Sequence, residues 1–331
     1  MYDIALLPQD KRDELFTETA NKKNITKSIV EKDFWVVWTI AKIFEDDSLS
    51  KILKFKGGTS LSKVFNLIHR FSEDIDLILD WTTVTKQNPL DDRSKNQQDK
   101  LNKSINESAK EYIKDTILGK VSSLLAPTCT CEIDENDGFS INIKYPTAFR
   151  DKYLRPEILL EIGPLASWLP SEVFEISSMV AEEYPDIFKK EKCTVDTIVA
   201  PRTFWEKATI LHHEANRPDN IPMPTRYSRH YYDLSLMAQS EFKDIALADT
   251  KLLENVVEFK QKLYPRKWAK YEDAKAGTLK LLPPKFRYAE LKKDYKAMQG
   301  MIFGEAPKFD EIMDILGILE DKINNYMEKI K

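Results

Sequence analysis

Apolar residues recur along the chain with two different spacings, and the change from one to the other predicts where helices give way to strands. Spacings of three and four residues predict helices at 11–21, 27–44 and 60–69. A turn at Asn136-Asp137-Gly138 predicts a hairpin. Short apolar runs bounded by turn residues predict strands at 51–56, 74–80, 128–133, 139–145 and 157–162. The last of these strands would complete the sheet.

Outside these strands the chain has a mainly helical pattern. Residues 86–110 are rich in Lys, Asp, Asn, Gln and Ser, which favours a surface loop that merges into a helix. Pro201 favours the start of a helix over 203–214. We therefore predict an α/β (α+β) fold, with a small mixed-sheet core and N-terminal helices in residues 1–165 and a mostly helical lobe in residues 166–331.

Composition supports a globular protein with two lobes. The 331 residues are 42% hydrophobic and 31% charged, enough to bury a sizeable core. No apolar run has the length of a membrane span, and the N-terminus lacks a signal-peptide pattern, so we expect a cytoplasmic protein without a membrane partner. Cys129-x-Cys131 and the remote Cys193 have no neighbouring third ligand in the sequence, which favours ordinary reduced thiols.

Two acidic residues, separated by one residue, stand in the second predicted strand. Asp74 and Asp76 would project from the same face of that strand, where repulsion and desolvation favour a cation between them. Carboxylate oxygens suit Mg²⁺. A solvated strand edge is the alternative for an isolated Asp-x-Asp, whereas Leu77-Ile78-Leu79 exclude a calcium-binding loop. The pair therefore predicts a metal site.

A glycine-rich turn precedes this strand. Gly57-Gly58 permits a tight turn with close backbone approach, and Thr59 or Ser60 can cap the helix that follows. Free N–H groups at such a helix start can bind phosphate. Ser62 rather than glycine precedes Lys63, so the segment is no P-loop. A phosphate cradle next to a metal site is the arrangement that phosphoryl or nucleotidyl transfer requires.

One further acid lies in an apolar strand. Glu161 is surrounded by Ile158, Leu159, Leu160 and Ile162, and an acid in such a strand requires a partner. We predict that Glu161 is the third metal-binding carboxylate; the alternative is a strand-end glutamate that faces solvent.

The chain resembles the AbiEii (abortive infection) nucleotidyltransferase toxins, a branch of the DNA polymerase β-like superfamily. Four motifs carry the resemblance over roughly residues 25 to 240. They are Glu31-Lys32-Asp33-Phe34-Trp35-Val36, residues 55–63 with 70–77, residues 203–212, and Arg229-His230-Tyr231-Tyr232-Asp233-Leu234.

The resemblance implies a chemistry and roles for particular residues. A nucleoside monophosphate would pass from an NTP to an acceptor, with Mg²⁺ or Mn²⁺ as cofactor, and Glu161 would hold the second metal ion and help to activate the attacking hydroxyl. Lys207 would contact the triphosphate, and Asp233 would be an active-site residue that orients Lys207. The implied nucleotide-binding residues are Gly57, Gly58, Thr59, Ser60, Lys63, Ser72 and Lys207.

Simpler alternatives exist for both later motifs. Glu206-Lys207 could be an exposed pair, and Arg229 and Asp233, four residues apart on one helix face, could form an ordinary ion pair. His212, His213 and His230 have no zinc-site spacing.

A basic segment indicates the acceptor. Residues 260–296 carry twelve Lys or Arg against four Asp or Glu, although the whole chain has a net charge of −4. Aromatic residues between these cations could stack on bases of single-stranded RNA, whereas a solvated helix face with its aromatics in the core is the alternative. The predicted RNA-binding residues are Arg266, Lys267, Lys270, Lys292 and Lys293.

Two classes of function compete. One is an enzyme of a type IV toxin–antitoxin system that modifies RNA and blocks translation; the resemblance implies the 3′ end of transfer RNA as acceptor and a cognate antitoxin encoded nearby. The same chemistry on a protein hydroxyl is a variant of it. The other class is a non-catalytic nucleotide-binding protein, for which Asp74, Asp76 and Lys207 together would have no chemical purpose.

Overall fold

A computed structural model of the chain describes residues 1–149 and 154–325. The helices are α1 (Tyr2–Ala5), α2 (Gln9–Lys23), α3 (Lys27–Glu45), α4 (Gly57–Lys63), α5 (Lys95–Tyr112), α6 (Leu118–Leu125), α7 (Met179–Glu183), α8 (Ala200–Ala215), α9 (Ser228–Met237), α10 (Phe242–Ala248), α11 (Thr250–Leu263), α12 (Tyr288–Met298) and α13 (Phe309–Asn325). The strands are β1 (Leu53–Lys56), β2 (Ile75–Leu79), β3 (Thr130–Ile133), β4 (Ser140–Lys144), β5 (Ile158–Gly163), β6 (Ser171–Ser177) and β7 (Lys192–Ile198).

The seven strands form one mixed sheet in the order β3-β4-β5-β2-β1-β7-β6. β2 pairs in parallel with β5, and β1 in parallel with β7, while the other neighbours are antiparallel. The predicted mixed α/β class is confirmed.

The two faces of the sheet differ in chemistry because side chains alternate along each strand. Phe55, Leu77 and Ile162 lie on one face and are fully buried. Helix α3, whose apolar run from Phe34 to Ala41 is buried, packs against β7 and α6. Polar residues lie on the opposite face, which therefore carries the candidate chemistry.

The sheet is larger than the sequence pattern predicted. β6 and β7 extend it beyond residue 162, so the first compact unit comprises Met1–Asn66, Phe71–Asn88 and Asp99–Ile198. This differs from the predicted boundary at residue 165. In β7 every second residue, Cys193, Val195 and Thr197, is buried, and pairing with β1 joins this strand to the core. β6 pairs with β7 at the edge of the sheet.

The second compact unit is helical. It contains Leu67–Arg70, Pro89–Gln98 and the described residues from Val199 onward. Within it, α8 packs against α9, α10 and α11, and α9 packs against α12 and α13. None of the helices in the described part of the chain is long and apolar enough for a bilayer crossing.

Candidate active site

The register of two parallel strands brings two of the predicted acids side by side. Asp76 of β2 has Glu161 of β5 as its Cα partner and Lys56 of β1 on its other side. Neighbours in register share a face of the sheet, so both carboxylates lie on the polar face. Asp76 is half-buried and Glu161 is exposed. Glu161 therefore lies beside Asp76, and its exposure is what the strand-end alternative expects, so its metal-binding role stays a prediction.

Asp74 lies immediately before β2, and Thr59 ties this segment to α4. The Thr59 hydroxyl donates to the backbone carbonyl of Asp74 and approaches that of Ser72 at 3.4 Å. Asp74 is half-buried. A hydrogen bond from Thr59 thus joins helix α4 to the segment that carries Asp74.

Gly57 is required at its position for two independent reasons. Its φ of +85° lies in the left-handed region that favours glycine. In addition, a Cβ atom at residue 57 would lie 1.9 Å from Oδ2 of Asp76. The Asp76 carboxylate therefore occupies the space that a side chain at residue 57 would fill.

Most polar side chains of α4 already have hydrogen-bond or ion-pair partners within the protein. Thr59 and Ser60 are buried, and Ser60 Oγ donates to the Gly57 carbonyl at 2.9 Å. Lys63 forms an ion pair with Asp33 and lies 3.5 Å from the Ser177 carbonyl. Thr59 and Ser60 could therefore offer a phosphate only backbone N–H groups. A role for Lys63 in nucleotide binding would require its ammonium group to leave or share the Asp33 carboxylate.

The donor chemistry fits a hard divalent cation, but three ligands are not preassembled. Within residues 1–149 and 154–325, no three His, Cys, Asp or Glu side chains form a group that could hold a metal ion. The structure therefore does not bring Asp74, Asp76 and Glu161 together as one ready site. Mg²⁺ is commonly bound by one or two carboxylates together with substrate phosphates, an arrangement the Asp74–Asp76 pair can provide. Cys129, Cys131 and Cys193 are free thiols.

In the second unit, Lys207 of α8 and Asp233 of α9 form a buried ion pair. The Lys207 Nζ lies 2.7 Å from Asp233 Oδ2, and the side chains are 9% and 0% exposed. Arg70 completes the cluster: its Nε donates to Oδ1 at 2.8 Å and its Nη2 donates to Oδ2 at 2.9 Å. Because these charges are buried, neither an exposed pair at Lys207 nor a surface pair between Arg229 and Asp233 describes them.

The cluster shifts the pKa values of its members. Burial lowers the pKa of Lys207, and the charge of Asp233 only partly offsets this. For Asp233, burial acts to raise the pKa, but the charges of Arg70 and Lys207 outweigh it and lower the pKa. Asp233 therefore stays ionised and holds the Lys207 ammonium group in one place.

Arg70 is the member of this cluster that sequence reasoning missed. It opens the motif that contains Asp74 and Asp76, and this position was the one available signal. Its partner lies 163 residues further along the chain, so no spacing rule could have paired them. A backbone bridge from Arg70 to Ile302 also fixes this segment within the second unit.

The basic segment presents its cations more than its aromatic rings. Arg266, Lys267, Lys270, Lys292 and Lys293 are all exposed. The aromatic residues differ among themselves, with Tyr271 and Tyr295 buried, Trp268 and Tyr288 half-buried, and only Tyr264 and Phe286 exposed. Most of the predicted stacking residues therefore pack within the protein, and a nucleic acid would meet mainly positive charge.

Helix α4, which begins at Gly57, packs against β2, and the acids Asp74 and Asp76 lie just before and within that strand; these parts could serve nucleotidyl transfer. The profile of the family described as "Nucleotidyl transferase AbiEii toxin, Type IV TA system" matches residues 40–315. The chain therefore belongs to the AbiEii family of nucleotidyltransferase toxins. Members of such a family use an NTP and a divalent metal ion and have a cognate antitoxin.

Two solved structures are similar to the chain. MenT4, a nucleotidyltransferase toxin from Mycobacterium tuberculosis H37Rv, matches with 16% identity and a TM-score of 0.42, over 92% of this chain and 98% of that one. JHP933 from Helicobacter pylori matches with 14% identity and a TM-score of 0.41, over 91% of this chain and 96% of that one. No curated protein sequence gives a significant match.

Proposed function

We propose that the protein transfers a nucleoside monophosphate from an NTP to the 3′ end of transfer RNA, with Mg²⁺ as the metal ion. Transfer RNA receives its amino acid at that end, so the modification would block translation. The observation that carries the proposal is the register that sets Asp76 beside Glu161 on the polar face of the sheet.

The reaction is a substitution at the α-phosphorus of the NTP. The hydroxyl oxygen of the acceptor forms a bond to that phosphorus, the bond to the bridging oxygen of the β-phosphate breaks, and pyrophosphate leaves. Asp74 and Asp76 would hold the metal ion, which supplies charge stabilisation when it is bound. Glu161 is exposed, and we propose that it helps to take the proton from the attacking hydroxyl.

We assign to Lys207 the role of neutralising negative charge on the triphosphate. A protonated amine stabilises the charge that builds on the β- and γ-phosphates as pyrophosphate leaves. Asp233 and Arg70 support this role, because their buried hydrogen bonds restrict where the Lys207 ammonium group can lie.

Exposed positive charge supports RNA as the acceptor. Cations that contact phosphates dominate the affinity of most nucleic-acid-binding proteins. The exposed cations of residues 260–296 could serve this purpose, whereas the largely buried aromatics give little support for base stacking.

The test is transfer of label from each of the four α-³²P-labelled NTPs to total RNA and, separately, to total protein. We expect one NTP to label RNA of transfer-RNA size with Mg²⁺ present, and chelation with EDTA to abolish the label. Asp76→Asn is the matched control, since it removes one charge and keeps the side-chain size. Ligation-based sequencing of the labelled 3′ end would locate the added nucleotide.

Other outcomes would contradict separate parts of the proposal. Label on proteins but not on RNA would mean that the acceptor is a side-chain hydroxyl. Activity with Mn²⁺ but none with Mg²⁺ would contradict the choice of metal. Label that persists in the Asp76→Asn variant would contradict the assigned site.

A further inference from the structure

Three consecutive charged residues are buried in the middle of α3. Glu31, Lys32 and Asp33 are 1%, 0% and 1% exposed. Burial of an ion costs free energy unless a partner compensates it, so each of these side chains should have a specific contact. The family resemblance includes these residues but gives them no part in the chemistry.

Helix geometry explains how three neighbours can serve three different segments. Successive side chains on a helix point about 100° apart, given 3.6 residues per turn. Glu31 accepts hydrogen bonds from the backbone N–H groups of Ala148 and Phe149, at 2.7 and 3.1 Å. Lys32 and Asp33 turn to two other segments, and both of these lead into the candidate active site.

Lys32 is attached to the residue that precedes the first metal-binding aspartate. Its Nζ lies 2.7 Å from Oε2 of Glu73, and both side chains are almost completely buried. It also donates to the Arg155 carbonyl at 2.8 Å, while the Arg155 N–H donates to Glu73 at 2.9 Å. Glu73 is adjacent to Asp74 in sequence, so this contact fixes the backbone from which Asp74 projects.

Asp33 is attached to the helix that follows the glycine turn. One of its oxygens pairs with Lys63 at the end of α4, and the other accepts from the Met179 N–H at 2.7 Å. α4 in turn donates the Thr59 hydroxyl to the Asp74 carbonyl. Two neighbouring residues of α3 thus hold the two pieces of the catalytic motif.

Stability alone does not call for these ion pairs. Replacing a buried ion pair with apolar residues of similar size is often neutral or stabilising, so a fold could do without them. Apolar contacts, however, do not fix distances and angles as hydrogen-bonded charges do. A pair of aspartates that must meet a metal ion needs that geometric precision.

We propose that Lys32 is a positioning residue for nucleotidyl transfer, which sets the Asp74–Asp76 segment through Glu73, and that Asp33 does the same for α4 through Lys63. The inference rests on the metal-binding role of Asp74 and Asp76 in the proposed function. Neither residue touches the reacting atoms; each acts through its partner.

The principal test is the double variant Lys32→Met/Glu73→Gln. It removes both charges together and keeps an oxygen that can accept from the Arg155 N–H. We expect it to fold, with kcat lowered about 10- to 100-fold and a higher Mg²⁺ concentration for half-maximal rate. Electron paramagnetic resonance titration of Mn²⁺, with an unreactive NTP analogue present, should show weaker metal binding without any turnover.

The matched control is Arg217→Met/Glu214→Gln in the second unit. This pair is equally buried, with side chains 5% and 1% exposed and a distance of 2.6 Å between Nε and Oε2. Its removal should leave kcat and Mn²⁺ affinity unchanged. If the Lys32→Met/Glu73→Gln variant also keeps wild-type kcat and wild-type Mn²⁺ affinity, the α3 pair only supports the fold and the inference is wrong.

Glu73→Gln alone provides a second route if the double variant fails to fold. Gln at residue 73 keeps an oxygen for the Lys32 ammonium group and for the Arg155 N–H, and Lys32 keeps its hydrogen bond to the Arg155 carbonyl, so these buried groups still have partners. The single variant should therefore fold and still show weaker Mn²⁺ binding. Wild-type Mn²⁺ affinity in the folded single variant would overturn the inference.

The Asp33 arm can be tested by Asp33→Asn, which keeps an oxygen for the Met179 N–H but releases Lys63. If the ion pair positions α4, the KM for NTP should rise about tenfold. If Lys63 is instead a nucleotide ligand restrained by Asp33, the KM should fall, and the positioning role proposed for Asp33 would be wrong.

The metal titration separates this inference from the proposed function. If wild-type protein binds Mn²⁺ and NTP but labels no RNA, the acceptor is wrong while weaker Mn²⁺ binding in the variants still supports the inference. If wild-type protein binds no Mn²⁺, the metal-binding role of Asp74 and Asp76 fails, and the inference fails with it.

Discussion

Asp76 and Asp233, the aspartates proposed for the two parts of the site, lie in contrasting surroundings. Asp76, in the first unit, is half-buried on a polar sheet face, and its carboxylate fills the space above Gly57. Asp233, in the second unit, is fully buried, and both of its oxygens are held by Arg70 and Lys207. The first carboxylate is available to a ligand, whereas the second is committed to cations of the protein itself.

The two units differ in where their buried ion pairs lie relative to the proposed site residues. In the first unit, the buried pair of Lys32 and Glu73 lies next to a segment whose own acids, Asp74 and Asp76, are only half-buried. In the second unit, the candidate catalytic cation Lys207 is itself a member of the buried cluster. The same Asp→Asn substitution should therefore affect activity alone in the first unit, but both stability and the placement of the Lys207 ammonium group in the second.

The largest effect is expected for activity in the first unit. Asp76→Asn, like Asp74→Asn, should lower the rate of nucleotidyl transfer by about a thousandfold or more, equivalent to about 4 kcal/mol, because the metal loses a charged ligand. The free energy of unfolding should stay near that of the wild type, since the loss of mutual repulsion costs no packing. Single-turnover transfer rates and urea unfolding would measure the two effects. If either variant unfolded at a lower urea concentration but transferred at the normal rate, the carboxylate would serve stability rather than activity.

Asp233→Asn should lower the free energy of unfolding by about 3 kcal/mol, because Arg70 and Lys207 would lose a buried counter-charge. Transfer should also slow, because Lys207 would lose the carboxylate that holds its ammonium group. The folded-state pKa of Asp233 is lowered, so its stabilising effect is present above the unfolded pKa of about 3.9 and is lost progressively as the pH falls from there through the folded-state pKa. The difference in stability between the wild type and the variant should therefore narrow at acid pH. Urea unfolding at pH 7 and at pH 3 measures this. Equal stability at pH 7 would show that the cluster is not coupled to folding.

Sequence patterns predicted the elements of the site better than its contacts. The hairpin around Gly138 and the strand that carries Asp76 follow from local rules and occur in the structure. Asp74, however, lies just before β2, and Gly57 and Gly58 are the first residues of α4 rather than a separate turn. The predicted helix at 60–69 is shorter, because α4 ends at Lys63 and Asn66 has a positive φ of 49°.

Long-range partners could not be predicted in this way. The buried charges of α3 depend on segments up to 146 positions away, and three adjacent charged residues ordinarily predict a solvated surface. The pairing of Asp76 with Glu161 depends on strand register, which hydrogen bonding across the sheet decides and spacing does not.

Gly57→Ala tests whether the position of the Asp76 carboxylate next to residue 57 matters for transfer. The new Cβ would displace Asp76 as well as strain the backbone, so we expect about a hundredfold lower rate and a stability loss of about 1–3 kcal/mol. Gly304→Ala is the matched control, since Gly304 also has a positive φ, of +73°, but has open space around its Cβ position. It should show the backbone strain with an unchanged rate. Equal rates in the two variants would mean that the contact with Asp76 does not matter.

Lys207 offers a smaller test through pH. Burial lowers its pKa, so the protonated form should be lost, and the rate should fall, at a pH below the usual lysine value of about 10.4. Lys207→Arg should move this alkaline limb upward, because guanidinium stays charged, while lowering the maximal rate about tenfold through its different shape. The pH–rate profiles of the two proteins measure both changes. Identical profiles would place Lys207 outside the rate-determining chemistry.

The smallest effect for each residue is expected on the exposed surface of residues 260–296. If Arg266, Lys267, Lys270, Lys292 and Lys293 contact RNA phosphates, changing them to Glu should weaken RNA binding and flatten its salt dependence. Each lost contact should remove about 0.7 to 0.9 from the slope of log affinity against log salt concentration. Lys292 lies 3.4 Å from Asp310, so its reversal should change the slope least. NTP affinity provides the control and should not change, because these residues are not among those assigned to the nucleotide. An unchanged slope across a salt titration, with transfer at the wild-type rate, would mean that these cations only solubilise the surface and that the acceptor binds elsewhere.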